Sequence, residues 1–480
     1  MNTNRHQQGS MLILVLLLGS ILVLALGALF SLTEFNSRVT VRANDRELAF
    51  RIAEAGIEYY RWHLAHAPSD YRDGTNQPGP YVHNYYDKSG ALIGTFSLDI
   101  TAPPVGSTIV KIRSTGTIAG LTNLSKIVEV KLAKPSFAKY AIVTNDNARF
   151  GVGTEIFGPI HSNGGIRFDG IAHNIVTSAV ANYDDPDHTG ANEFGVHTHV
   201  DPVDPLPPAA VPNRPDVFVA GRTFPVPAVD FANITSTLSQ IKAAAIASGS
   251  YSGPSGAQGY EIVLKTNDVF DLYRVNTLVA APSNCTNIQN QTGWGTWSVN
   301  TRTLLNGNKP IPANGLIFLE DNVWVRGTIS SARVTIASGR FPVNPSTYSS
   351  ITVNSDLAYT NYDGQDALSL ISQNDINIGM VSDDDLRIDG ALVAQNGRVG
   401  RYYYRPPGGG QNRCSPYHVR TTLTTFGMIG SYIRYGFAYT DNTGYTNRTL
   451  NYDTNLLYAP PPSFPSTSDG YQQISWQEIK

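Results

Sequence analysis

The residues best suited to chemistry crowd into one stretch, where Asp184, Asp185, Asp187, His188, His197, His199, Asp201 and Asp204 fall in a segment rich in proline and glycine. Neutral imidazoles and carboxylates are the ligands that zinc and other divalent ions accept. Their spacing matches no metal motif, so the segment is expected to be a solvated loop and no metal is expected. Asp184, Asp187, His188, His197 and His199 are its weak ligand candidates. The run Asp383-Asp384-Asp385 offers oxygens to calcium but lacks the ligand pattern of an EF-hand loop, and reads as a solvated turn. Cys285 and Cys414 lie in polar, turn-like contexts with no CxxC pairing, which disfavours zinc. In an exported protein they are free to form one disulfide, provided their Cα atoms approach within about 7 Å.

No nucleophile elbow, HExxH helix, Walker loop or dinucleotide-binding GxGxxG is present. Glycosidases need two carboxylates about 5 to 10 Å apart across a cleft, and the sequence gives no means of placing Asp363, Asp366, Asp375 or Asp389 on one face. The aromatic runs Tyr402-Tyr403-Tyr404-Arg405 and Tyr432 to Tyr439 suit glycan or protein contact, or cross-strand pairing. The expectation is a non-catalytic protein without a cofactor. The alternative is a surface protein that binds or cleaves polysaccharide.

Composition narrows the class. Of 480 residues, 35 are basic and 38 acidic, a formal net charge of -3 that argues against nucleic acid as a partner. The 43 Gly, 29 Pro and 25 Tyr beside 15% charged residues suit a turn-rich, secreted β-protein.

Such a body needs something to hold it. Met11 to Leu32 carries no charge, and as a helix it spans roughly 33 Å, enough to cross a bilayer. A cleaved secretory signal ending near Ala25-Leu26-Gly27 competes with this reading, but the apolar run continues through Leu29, Phe30 and Leu32. Beyond Glu34, Val39, Ala43, Phe50, Ala53, Ile57, Tyr60 and Leu64 recur at helical spacing, with Arg42, Asp45, Glu47, Arg51, Glu54, Glu58 and Arg61 opposite. One helix from about Ser10 to His66 is therefore expected, on the order of 85 Å long.

These residues carry a resemblance. A polar leader containing Arg5 and ending in Gly9, an uninterrupted apolar helix, and the run Asn44-Asp45-Arg46-Glu47-Leu48-Ala49-Phe50-Arg51-Ile52-Ala53-Glu54-Ala55-Gly56 resemble the start of PilX-type minor type IV pilins. The likeness covers roughly residues 5 to 66. It implies cleavage between Gly9 and Ser10 by a prepilin peptidase, a body outside the cytoplasm, and partnership with the membrane, other pilin subunits and their assembly machinery. It also departs from major pilins, because the fifth mature residue, a glutamate there, is Leu14 here. In major pilins that glutamate pairs with a neighbouring subunit's amine, so Leu14 implies a scarce initiating or tip-proximal subunit. A membrane-anchored protein that never enters a filament is the competing reading.

The fold expected is α+β and mainly β. Residues 1–9 form the leader, 10–66 the long helix with its span at 11–32, 67–134 a small pilin-like antiparallel sheet, and 135–480 a β-rich exoplasmic body. Thr95 to Ile100, Ile109 to Arg113 and Lys126 to Leu132 alternate apolar and polar residues, as strands do when they lay one face on a helix. Ile112 to Ile118 resembles a strand and turn of PilX-like proteins. In the body, the segments 165–170, 322–327 and 385–390 each place two apolar residues two apart and close on glycine. Many short strands with polar turns suggest a β-solenoid, with a β-sandwich as the alternative. An insertion at about 178–258 holds a proline-rich segment, expected to be extended on the surface, and a helix through Phe231, Ile234, Leu238, Ile241 and Ala245 that stops at Gly249. Pro460 to Pro465 and a strand around Trp476 are assigned to the body.

Overall fold

The computed structural model describes residues 7–465, 467 and 469–479. They divide into two compact units, one of Met1–Ala102, Val110–Ala133 and Gly470–Lys480, the other of Pro103–Ile109 and Lys134–Asp469.

The first unit is built on α1, Gln7–His66. It ends just before Pro68, where an extended conformation is favoured at the preceding residue. Four strands, β1 (Tyr81–Tyr86), β2 (Leu92–Thr101), β3 (Val110–Ile118) and β4 (Leu121–Ala133), follow as antiparallel neighbours. Gln472–Ile479 adds a fifth antiparallel strand beside β4. The strand around Trp476 therefore belongs to this sheet and not to the body, because its register pairs Trp476 with Val130. Trp476 meets Phe50 of α1 edge to face, with ring centroids 5.9 Å apart.

The sheet buries Ala49, Ile52, Ala53, Ile57, Tyr60 and Leu64 against Phe96, Leu98, Val110, Ile112, Val128 and Val130. The covered stripe starts later than its sequence pattern suggests, since Val39 and Ala43 remain exposed. Two glycines let helix and sheet touch. A Cβ on Gly116 would lie 2.2 Å from Ala49 O and 2.5 Å from Ala53 N, and one on Gly56 would lie 2.3 Å from Ser114 Oγ. Glycine in a strand marks such a close backbone approach. Gly116 thus sits inside β3, and the turn expected there comes after Ile118.

The second unit carries long parallel ladders. One runs, in spatial order, through Ser250–Ser252, Leu316–Leu319, Arg333–Ser338, Ala367–Ser372, residues 391–394, residues 429–431, Ile142–Thr144, Ile160–Ser162 and Val176–Ser178. Ile317, Ile336, Leu370, Leu392, Ile429, Ile142, Ile160 and Val176 stack in register and point into one apolar core. Their neighbours Phe318, Ala337, Ile371 and Val393 face the other way, as alternation along a strand requires. There they pack with Leu238, Ile241 and Ala245 of α2, Ala232–Ser248, which Gly249 caps. A second ladder joins Gly259–Lys265, Val323–Ile329, Ile351–Thr352, Ile376–Ile378 and Val399–Arg401. A third links residues 327–329, Leu357–Tyr359, Asp385–Ala394, Val419–Ser431, Gly444–Tyr452, Glu155–Ile156 and Ile171–Ala172. All three feed the same core.

Sandwiches are made of antiparallel sheets, and these ladders run parallel. An antiparallel ribbon, Gly259–Lys265 with Val269–Leu278 and Val299–Pro310, branches from the second. Of the three similar segments, 322–327 and 385–390 meet the same ladder through Leu357. The third supplies Ile166–Phe168 to a separate short ladder with Ala148–Phe150 and Val196–His197. The proline-rich segment is not simply a surface strap, because Val217 and Phe218 are buried in the core and Arg222–Thr223 pairs with residues 176–177.

Candidate functional site

Two regions merit a functional reading: the apolar half of α1 and the histidine cluster of the body. Along α1, Leu12, Leu16, Leu22, Phe30 and Phe35 are each more than 60% exposed. Mean hydropathy reaches 3.0 within this helix, and none of that window is buried. A helix apolar on every side has no face for water. Gly9 and Ser10, the expected processing pair, lie on the helix backbone, whereas residues 1–6 of the expected leader fall outside the described residues. Leu14 projects from the exposed half at 59% exposure. Glu47 and Arg51 form the i,i+4 ion pair that their spacing suggests, at 3.1 Å.

The stretch that joins so many potential ligands is only in part the solvated loop expected: Asp184, Asp187, His188 and Asp201 are exposed, whereas Asp185, His197 and Asp204 are buried and His199 is half-buried. Asn182–Tyr183 and Glu193–Phe194 form a small antiparallel pair with Tyr183 opposite Glu193. Val196–His197 then runs parallel to Ile166–Phe168. Residues two apart on an extended chain share a face, so His197 and His199 turn toward Asp185 at the mouth of the hairpin. Asp185 and Glu193 are each 3% exposed at the side chain, His197 0%, His199 15% and His188 41%. His197 Nε2 stands 3.5 Å from Asp185 Oδ2, His188 Nδ1 3.2 Å and His199 Nε2 3.5 Å from Glu193 Oε1. In each of the trios Asp185-His197-His199 and His188-Glu193-His199, the ligand-type atoms lie within 4.8 Å of one another.

Electrostatics favours ligand-competent forms. Burial opposes ionisation of Asp185, but His197, the Asp187 backbone N–H and Arg167 together hold its carboxyl below the ordinary value. Burial, with Arg167 and His197 nearby, lowers His199 and favours its neutral imidazole.

The remaining residues of the stretch do other work. Asp184 and Asp201 are exposed. Asp187 pairs with Arg434 and lies 3.5 Å from Arg149. Asp204 pairs with Arg222 and accepts from the Thr198 N–H at 3.1 Å. Glu193 was missed in sequence because it comes from the far arm of a hairpin with no local signature.

The glycosidase-like carboxylates are occupied structurally. Asp366 accepts from the Thr360 and Asn361 N–H groups at 2.9 and 2.8 Å. Asp375, which burial pushes up, accepts from the Arg398 N–H and the Tyr402 hydroxyl, both at 2.8 Å. Asp389 accepts from the Tyr359 N–H at 2.9 Å and the Tyr362 hydroxyl at 2.8 Å. Asp363 is exposed and accepts from the Gln365 N–H at 3.0 Å. Asp383, Asp384 and Asp385 are exposed.

Tyr402, Tyr403 and Tyr404 are buried, yet they lie beyond the strand Val399–Arg401 and so are not a cross-strand set. Tyr402 and Tyr404 pack with Met380 around a disulfide joining Cys285 and Cys414, whose Cα atoms are 4.7 Å apart. Arg401 is fully buried beside them, its guanidinium 4.8 Å from the Tyr404 ring and donating to Met380 O and Tyr417 O, and burial pulls it down to about 10. From the second aromatic run, Tyr435 and Phe437 enter the core, while Tyr432 stays 38% exposed. Near it lies a groove of about 830 Å³ lined in part by Arg149, Arg398, Arg434, Arg448 and Tyr439.

No protein-family model matches the chain, and no curated protein matches it. Among solved structures, the competence-associated pilin ComZ from Thermus thermophilus aligns over 91% of this chain and 98% of its own, at 11% identity and a TM-score of 0.28. A score so low leaves the functional reading to the residues themselves.

Proposed function

We propose that this chain is a minor pilin-like subunit of the PilX type, non-catalytic, anchored by α1 and displaying a solenoid body outside the cytoplasm for assembly initiation, tip display or adhesion. The observation that carries the reading is α1 itself. Its first half is apolar on all sides and uncovered, and it continues without a break into a half capped by an antiparallel sheet. A membrane helix of this kind exchanges lipid for neighbouring helices at little hydrophobic cost. A prepilin peptidase cutting between Gly9 and Ser10 makes Leu14 the fifth residue, and a leucine there offers no carboxylate to a neighbouring subunit's amine. The parallel ladders sharing one core support the solenoid reading, and the structural use of Asp366, Asp375 and Asp389 supports the absence of hydrolase chemistry.

The deciding measurement is stoichiometric. Sheared surface filaments should contain this chain, starting at Ser10, at a few copies or fewer beside a smaller major pilin with glutamate at its fifth mature position. Recovery only from membranes, with filament number unchanged when the gene is deleted, would overturn the filament role. Leu14→Glu should add at most weak incorporation along the shaft. A second reading, a surface protein that binds polysaccharide, has the arginine-lined groove in its favour, which suits an acidic glycan.

A further inference from the structure

The hairpin cluster leaves buried polar atoms unsatisfied. Asp185 Oδ2, both ring nitrogens of His197 and His199 Nε2 have no hydrogen-bond partner, although His197 is entirely buried and Asp185 nearly so. An unpaired polar group in the interior costs free energy, and such groups call for a missing partner such as a water or an ion. Here they converge. Two ligand atoms held tetrahedrally at about 2.0–2.1 Å from a zinc ion lie about 3.3 Å apart, close to the 3.5 Å between His197 Nε2 and Asp185 Oδ2. The third ligand atom of the trio, on His199, completes a set whose members lie within 4.8 Å of one another.

Charge points the same way. Around the cluster, Asp169, Asp185 and Glu193 lie beside Arg167, which is engaged with Asp169 at 2.8 Å and stands 3.6 Å from Asp185, while Asp187 at the rim holds Arg434 and lies 3.5 Å from Arg149, four carboxylates to three guanidiniums. The surplus of carboxylate suits a dication. We infer that Asp185, His197 and His199 bind a divalent transition-metal ion, for which zinc is the best chemical match, with Glu193 and His188 on its more open side.

Two imidazoles and carboxylate oxygen are a donor set that zinc, cobalt and nickel accept and that calcium and magnesium do not favour. The ion ties residues from both arms of the hairpin to the strand Val196–His197, so it acts as a cross-link within a segment that has little regular structure. One nitrogen of His197 keeps its proton, to be met by water.

The test uses the full chain purified in detergent, stripped with a chelator and dialysed against zinc chloride alone. About one equivalent of zinc per chain should be retained, and zinc should raise the Tm of the body, since a ligand that binds only the folded state stabilises it by mass action. Cobalt in its place should give the visible absorption of a tetrahedral site, and that absorption should be lost in Asp185→Asn and His197→Ala. Because His197 is buried, His199→Gln, at a partly exposed position, supplies the second variant and should also lose the equivalent, while His173→Gln elsewhere in the body should retain it. His188→Gln should weaken affinity by about tenfold, as changes next to a metal site do. Zinc retention and Tm shift equal in wild type, Asp185→Asn and His199→Gln, or no retention at all, would overturn the site and leave water as the partner of these atoms.

Discussion

In α1, Leu16, Leu22, Phe30 and Phe35 stand largely exposed, whereas Ile52, Ile57, Tyr60 and Leu64 a few turns later are buried. Both halves are rich in apolar side chains, but they distribute them differently. The second keeps them on a stripe, with Arg51, Glu58 and Arg61 facing water. A stripe needs one sheet, and β2 to β4 supply it. The first half has no polar side, so one sheet would leave most of it wet. Only a surrounding of lipid or other helices satisfies it. The contrast shows how one uninterrupted helix can belong to two solvents.

The largest test of that contrast removes residues up to Leu32. The shortened chain should stay in solution without detergent and keep a cooperative melt of the first unit; a continued need for detergent would break the division. Next, Ile52→Ala should destabilise the first unit by about 2–5 kcal/mol in urea melts. Ile21→Ala, in the exposed half, should stay within about 0.5 kcal/mol in the same detergent.

The glycines sharpen the comparison further. Gly116→Ala drives a methyl into the backbone of α1 and should cost about 1–3 kcal/mol, the range for overpacking. Gly27→Ala meets nothing within 4 Å and should be neutral or slightly stabilising, as helix propensity favours alanine. Hydrogen exchange of β3 amides would separate the two.

The smallest effect is a pH slope at Asp70, just beyond the covered half. The Arg72 N–H, helped by the Gly74 N–H and His63 and opposed by slight burial, holds this carboxyl below 3.8. A lowered folded value means that its stabilisation is complete above 3.8 and fades as pH falls through the folded value. Asp70→Asn should flatten that acid limb in melts between pH 6 and 2.

Local pattern carried the helix well, because Ala53, Ile57, Tyr60 and Leu64 repeat at helical spacing and are the residues covered. It misjudged Val39 and Ala43, since nothing local says where a sheet begins to cover a helix. Strand partners were harder. Successive rungs at Ile317, Ile336, Leu370, Leu392 and Ile429 are unevenly spaced, and Ile142–Thr144 lies beside residues 429–431 although most of the body separates them in sequence, so no period is visible. The disulfide between Cys285 and Cys414 was legible as a possibility, since these are the two cysteines of the chain, and the structure forms it, whereas Glu193 carried no local signature that set it beside His188 and His199. The alternation of His197 and His199 was legible, but not its burial, which depends on the strand carrying Arg167.

The strand Gln472–Ile479 completes the first sheet only after the whole body has been synthesised. Until it arrives, β4 keeps an open hydrogen-bonding edge and Phe50 lacks the Trp476 ring, although α1 and four strands have long since left the ribosome. Open edges invite pairing with other chains. Completion of the first unit is thereby made to wait for the body, and a chain stalled during translation carries its incompleteness as an unpaired strand edge beside α1.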